Sequence, residues 1–153
     1  METEHSENQE QANSANHAVL PISKMFDKEL LRGKQDTPLT SQDIEIIDQL
    51  VRYAVQLYNA SQIAFYKERS ESGFNGNFNR KEVLIDLAEY KRQYFCAANS
   101  DGEKEVWVNC FCDKSTRWRT GLVFVLDGGK CYFQMTLNLH TKKVSDFRTN
   151  GEA

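Results

Sequence analysis

Two prolines and three histidines are all that this 153-residue chain carries of either type, and glycine occurs only eight times. So little proline and glycine excludes a collagen-like or proline-rich chain. His5, His17 and His140 are the whole supply of imidazole, which leaves little for acid–base or metal chemistry. No apolar run approaches the roughly 18–20 residues of a membrane-spanning helix. An excess of positive charge is missing too. The formal charge is −3, so total charge gives no pointer to nucleic acid. Nucleotide, phosphate-loop and serine-hydrolase motifs are absent; Gly73-Phe74-Asn75-Gly76 is not one of them. One domain is expected at this length.

Residues 1–20 hold Glu2, Glu4, Glu7 and Glu10 and no lysine or arginine. A secretory signal needs a positive start and an apolar stretch, and neither is here. Ser, Asn, Gln and Glu bury too little apolar surface to offset the entropy of ordering. Residues 1–20 therefore read as a disordered acidic tail ahead of a single domain at 21–153. A docking segment that folds on a partner is the alternative. The domain itself carries 19 basic and 18 acidic groups and is nearly neutral. Without an export signal, Cys96, Cys110, Cys112 and Cys131 read as reduced thiols and the protein as cytoplasmic.

Ile22, Met25, Phe26, Leu30 and Leu31 approach helical spacing over 21–34, with Gly33 as the stop. The strongest helix signal covers 40–66. Thr40 and Asp43 resemble a capping box. Ile44, Ile47, Val51, Ala54, Val55, Tyr58 and Phe65 form an apolar stripe long enough to lie along a sheet. Residues 69–82 read as a loop, in which Phe74 and Phe78 either pin the segment to the core or rim a site. Residues 83–91 are ambiguous between a short helix and an edge strand.

Beyond them the pattern alternates, and strands are predicted over 93–99, 104–112, 120–126, 130–139 and 144–148. Asp101-Gly102 and Gly128-Gly129 supply the positive φ of tight turns. His140–Lys143 is a further turn. Short connections imply an antiparallel meander. Alternation puts Val106, Val108, Cys110 and Cys112 on one face and Trp107, Asn109 and Phe111 on the other. The 130–139 strand has one apolar side for the helix and one polar side for solvent or ligand. The fold class is therefore α+β: a long N-terminal helix packed on a twisted antiparallel meander of four to six strands.

Glu89–Tyr94, Val106–Cys112, Trp118, Asp127–Phe133, Asn138-Leu139 and Asn150–Ala153 resemble the corresponding strings of a group of small bacterial proteins with no assigned activity. The plan of helix followed by curled sheet is similar to the cystatin-like and nuclear-transport-factor-like architectures. The resemblance covers the C-terminal half. It implies a fold and no chemistry, because these architectures host enzymes and binding modules alike. The wedge motifs of cystatin inhibitors are not visible, so protease inhibition does not carry over.

Residues 114–148 hold seven basic groups against two acidic ones. Arg117, Arg119, Lys130, Lys142 and Lys143, with Trp118 between two arginines, form the candidate interaction surface for an acidic protein partner or, through stacking and phosphate contacts, nucleic acid. A solvated sheet face with Trp118 as a lid on the sheet's end is the plain alternative. Tyr90, Tyr94, Asn109, Gln134 and Asn138 are candidates for a polar pocket between helix and sheet, with Asp86 or Glu89 as base. Cys110, Cys112 and Cys131 match a metal site only weakly, with His17 or His140 as further ligands. As buried thiols they would be small hydrophobes. Cys131 with His140 makes a nucleophile only if the fold brings them together. The reading that follows is a non-enzymatic interaction module with a protein partner or self-association through the sheet, no membrane and no cofactor. A small-molecule-binding or enzymatic pocket is the second reading, and weak nucleic-acid binding the third.

Overall fold

In the computed structural model, residues 16–25, 34–71, 79–113 and 117–151 are described. The helix α1 spans Ser41–Glu71. Its N-terminus is closed reciprocally: the Thr40 backbone N–H donates to Asp43 Oδ2 at 2.9 Å, and the Asp43 N–H donates to Thr40 Oγ1 at 3.1 Å. Aspartate thus does the work usually given to glutamate in a capping box. Ile47, Val51, Ala54 and Val55 are buried against the sheet, as their spacing requires. Phe65 is not part of this core; it is 47% exposed. A 31-residue helix is about 46 Å long, whereas an eight-residue strand is about 26 Å. The helix therefore overhangs the sheet. Asn59 marks where the overlap ends, exchanging two 2.9 Å hydrogen bonds with the backbone of Ile85.

Among the described residues the sheet has six strands: β1 (His17–Val19), β2 (Gln35–Asp36), β3 (Lys91–Ala98), β4 (Lys104–Phe111), β5 (Tyr132–Asn138) and β6 (Lys143–Thr149). β3 to β6 form the expected antiparallel meander in sequence order. The sheet as a whole is mixed. β1 runs parallel to β3, with His17 opposite Arg92, and α1 lies in the crossover that a parallel pair needs. β2 covers the other end of the same β3 edge, antiparallel. At β6 the register shifts between Gln134 and Thr136, and Asp146 adopts a φ of 54°. That bulge twists an otherwise open edge.

Several expectations are corrected. β1 lies inside the segment assigned to the tail, because Ala18 and Leu20 are buried. In place of a helix over 21–34, Ile22–Lys24 is a single 3-10 turn, and 26–33 lie outside the described residues. Phe74 and Phe78 lie outside them too. The ambiguous stretch resolves into a short helix α2 (Arg80–Val83) and a 3-10 turn (Leu87–Glu89), capped by the side chains of Asn79 and Asp86. Residues 120–126 form no strand. They belong to a strap that leaves β4 at Phe111, crosses the sheet face away from α1 and returns to β5.

The strap explains the cysteines. Cys112 and Cys131 are joined by a disulfide across its base, 19 positions apart, and the Cys112 N–H donates to the Cys131 carbonyl. The reduced-thiol reading therefore holds only for Cys96 and Cys110, which are free and buried. Burial pushes both thiols up to about 12; for Cys110 the nearby Arg92 charge opposes the rise. The turn back into β5 uses Gly128 at φ 97° and Gly129 at φ 58°.

Candidate functional site

One row of polar residues crosses four strands on the outer face: Gln93 opposite Asn109, Asn109 opposite Gln134, Gln134 opposite Arg148. The first two hold the strap. Gln93 is fully buried, and its Nε2 donates to the carbonyls of Trp118 and Gly121, each at 2.7 Å. Its Oε1 accepts from the Val123 N–H and from Asn109 Nδ2, each at 3.0 Å. Asn109 also donates to the Val123 carbonyl at 2.7 Å. Asn150 donates to the carbonyls of Val125 and Asp127. These amides take the place of a neighbouring strand, because a buried backbone group must be paired with something. Val123 and Val125 pack inward with Trp118, while Phe124 and Leu126 point out and are 52% and 82% exposed.

Trp118 is the residue most displaced from its expected role as an exposed contact. It is buried, packs edge-on against Phe111, and lies under the guanidinium of Arg119, 4.4 Å from the ring centroid. It is the lid of the sheet's end. Arg117 and Arg119 are exposed beside it. Lys130 instead ties α2 to the strap's exit, donating to the carbonyls of Lys81 and Leu84. Lys142 and Lys143 lie at the opposite end of the sheet, in the turn between β5 and β6. The basic residues thus fall at two ends, separated by the length of a strand.

The five pocket candidates are split as well. Tyr90 and Tyr94 are buried on the α1 face, where Tyr90 donates to the Lys130 carbonyl at 2.6 Å. Burial raises both phenols, Tyr94 to about 12. Asn109 and Gln134 lie on the other face. Asn138 caps the following turn, accepting from the N–H groups of His140 and Thr141. Asp86 caps Ala88. Cys131 and His140 flank opposite ends of β5, so they form no couple. Cys112 is bonded to Cys131 and Cys110 is sealed in the core, which leaves no cysteine metal site of the kind considered. Among the described residues no group of three or more His, Cys, Asp or Glu could hold a metal.

Two features escaped the sequence reading. Asp48 on α1 bridges two arginines: Oδ2 to Arg52 Nε at 2.8 Å and Oδ1 to Arg92 Nη1 at 2.9 Å. Arg92 also donates to the Tyr94 hydroxyl, and His17 stacks on the Tyr94 ring, 5.1 Å between centroids. Burial works to raise Asp48, but the bonds from Arg52 and then Arg92 outweigh it and hold the carboxyl below its ordinary value. The cluster fastens α1 to the β1–β3 edge. No sequence spacing marks it, since Asp48 and Arg92 are 44 positions apart.

The second is an apolar groove of about 560 Å³ between α1 and β6. Tyr53 and Leu57, one helical turn apart, form one wall and are each more than half exposed. Val144 and Phe147 form the other, Tyr58 stacks on Phe147 at its base, and Lys142 and Lys143 line its rim. Among the described residues, no acidic side chain lines it. Periodicity found the core stripe of α1 but not this flank, which lies beside that stripe. No helix among the described residues is long and apolar enough to cross a membrane. Comparison with protein-family models, with curated proteins and with solved structures finds no match to this chain.

Proposed function

We propose that this domain is a non-catalytic interaction module that docks an acidic segment with apolar anchors, supplied by another protein, in the groove between α1 and β6. The observation that carries this reading is the exposed Tyr53–Leu57 pair beside Val144 and Phe147, under a rim of Lys142 and Lys143. An apolar groove rewards side chains spaced one helical turn apart. Two rim lysines, with no carboxylate among the described lining residues, favour glutamate or aspartate flanking those anchors and steer their approach. Of the expected basic surface, Lys142 and Lys143 keep a contact role here, and Arg117, Trp118, Arg119 and Lys130 do not.

Peptide display against the purified chain tests this. Enrichment of sequences combining large apolar residues with flanking acids, lost with the Tyr53→Ser/Leu57→Ser double variant, supports it. Enrichment without acidic flanks, or binding unchanged by the double variant, sinks it. A dimer in sedimentation that the same variant dissolves would replace the partner with a second copy of this chain. Self-association through strand pairing has less support, because the Asp146 bulge interrupts the β6 edge. Nucleic acid has less support for the same kind of reason: it asks for Trp118 exposed and the basic groups on one face.

The cystatin-like or nuclear-transport-factor-like plan stays a proposal. It is supported by α1 crossing one face of the β3–β6 meander, and the parallel β1 is the departure from it. The cytoplasmic reading has to accommodate the Cys112–Cys131 bond, since disulfides persist in oxidising compartments. We favour an oxidising one. Acid quenching of intact cells, followed by alkylation of the denatured protein without reductant, tests this: two blocked thiols support it, and four return the chain to the cytoplasm.

A further inference from the structure

We infer that the cleft between the strap and the outer face of the sheet binds a small organic acid with an apolar body, its carboxylate held by Arg148. The cleft measures about 300 Å³, the lower end of the size range of small-molecule sites. It lies on the opposite side of the sheet from the α1–β6 groove and does not depend on that groove's function.

Gln93 and Asn109 spend their amides on the strap's backbone. The strap covers that half of the row and leaves the other half open, so Gln134 and Arg148, direct cross-strand neighbours, line the cleft. Among the described residues that line it, Arg148 carries the only charge. Its guanidinium offers a planar fork of donors that matches a carboxylate. The side chain of Gln134, whose Nε2 also donates to Asn150 Oδ1 at 3.3 Å, stands beside it as a second polar contact. Apolar surface supplies most of the remainder: Trp107 and Tyr132 on the sheet, Val123 and Val125 on the inner side of the strap. A mostly apolar cleft with one cation and a few amides, Gln134 nearest that cation, is the composition of a site for an amphipathic anion. Phosphate alone would leave the aromatic surface unused. A long chain would not fit the volume.

The experiment is proton–nitrogen correlation NMR of the whole chain, titrated with phenylacetate, with the neutral phenylethanol and with acetate. Saturable shifts at the Trp107 indole and the Gln134 amide with phenylacetate, and about tenfold weaker binding of phenylethanol, support the site. Arg148→Gln should cost about tenfold in affinity, and Arg148→Lys should recover much of it. Arg148 is exposed on the edge strand, so neither variant should disturb the fold, and thermal melts check this. The inference is overturned by the absence of saturable shifts up to about 10 mM. It is equally overturned by shifts located elsewhere, by acetate matching phenylacetate, or by affinity that Arg148→Gln leaves unchanged.

Discussion

Asn109 Nδ2 donates to the side-chain oxygen Oε1 of Gln93 directly across the β3–β4 ladder, 3.0 Å away, with both residues buried. That one bond orients both amides. With its Oε1 facing Asn109 and the Val123 N–H, Gln93 must turn its two donors toward the carbonyls of Trp118 and Gly121. The strap is thereby read by the sheet through side chains, and its backbone needs no partner strand.

Gln93→Leu keeps the volume and removes every one of these bonds. Two carbonyls and one N–H of the strap then lose their partner in a buried site. We expect a loss of about 3 kcal/mol, measured by urea unfolding. Asn109→Leu should cost less, about 2 kcal/mol, since one strap carbonyl and one Gln93 acceptor are affected. A change under about 0.5 kcal/mol in both would mean that the strap is not held this way.

The disulfide closes a loop of moderate length, with its ends 19 positions apart. Chain-entropy arguments put its contribution at about 3 kcal/mol. Cys112→Ser/Cys131→Ser should lower stability by that order and raise amide exchange in the strap more than in α1. In the native oxidised protein, Cys96 and Cys110 should resist alkylation, because burial keeps both as neutral thiols. Urea unfolding with peptide-resolved amide exchange checks the first statement, and native-state alkylation read by intact mass checks the second.

Asp43 links cap and ion pair: it also accepts from Lys104 Nζ at 2.7 Å. Burial raises its carboxyl, but the bond from Lys104 and then those from Thr40 outweigh it, so the net displacement is downward. Asp48 is displaced in the same direction. A carboxyl lowered in the folded state contributes stability that is present above the unfolded value of 3.8 and is lost as pH falls through the lower folded value. Stability should therefore decline with acid below about pH 4. In Asp43→Asn that decline should be shallower, and stability at neutral pH lower by about 1 kcal/mol. Chemical denaturation across pH measures both.

Gly128 has no room for a side chain. At φ 97° an added Cβ would stand 2.6 Å from the ring of Tyr132, whose hydroxyl donates to Asp113 at 3.1 Å. Gly128→Ala should cost about 1–3 kcal/mol. Gly102→Ala meets no atom within 4 Å and carries only the backbone term of its φ of 79°, about 1 kcal/mol. Thermal melts of the two variants should rank them in that order.

How much of this was legible depends on the range of the interaction. Local chemistry sufficed for α1: a cap closes within three residues, and the burial of Ile47, Val51, Ala54 and Val55 follows from a 3.6-residue period. It sufficed for β4 and β5, where alternation assigned Val108 and Met135 to the core face and Asn109 and Gln134 to the other. It also placed the turn at Gly102.

Alternation reports which way a side chain faces, and Val123 and Val125 do face inward while Phe124 and Leu126 face out. It does not report what the backbone bonds to. Thr120–Leu126 therefore read as a strand, although its partners are side-chain amides 14 to 30 positions upstream, Asn109 and Gln93, and 25 downstream, Asn150. The Asp48–Arg92 pair, the parallel β1, the Cys112–Cys131 bond and the separation of Lys130 from Lys142 have the same origin. Each is decided by how distant segments meet, and only the tertiary structure brings those segments together.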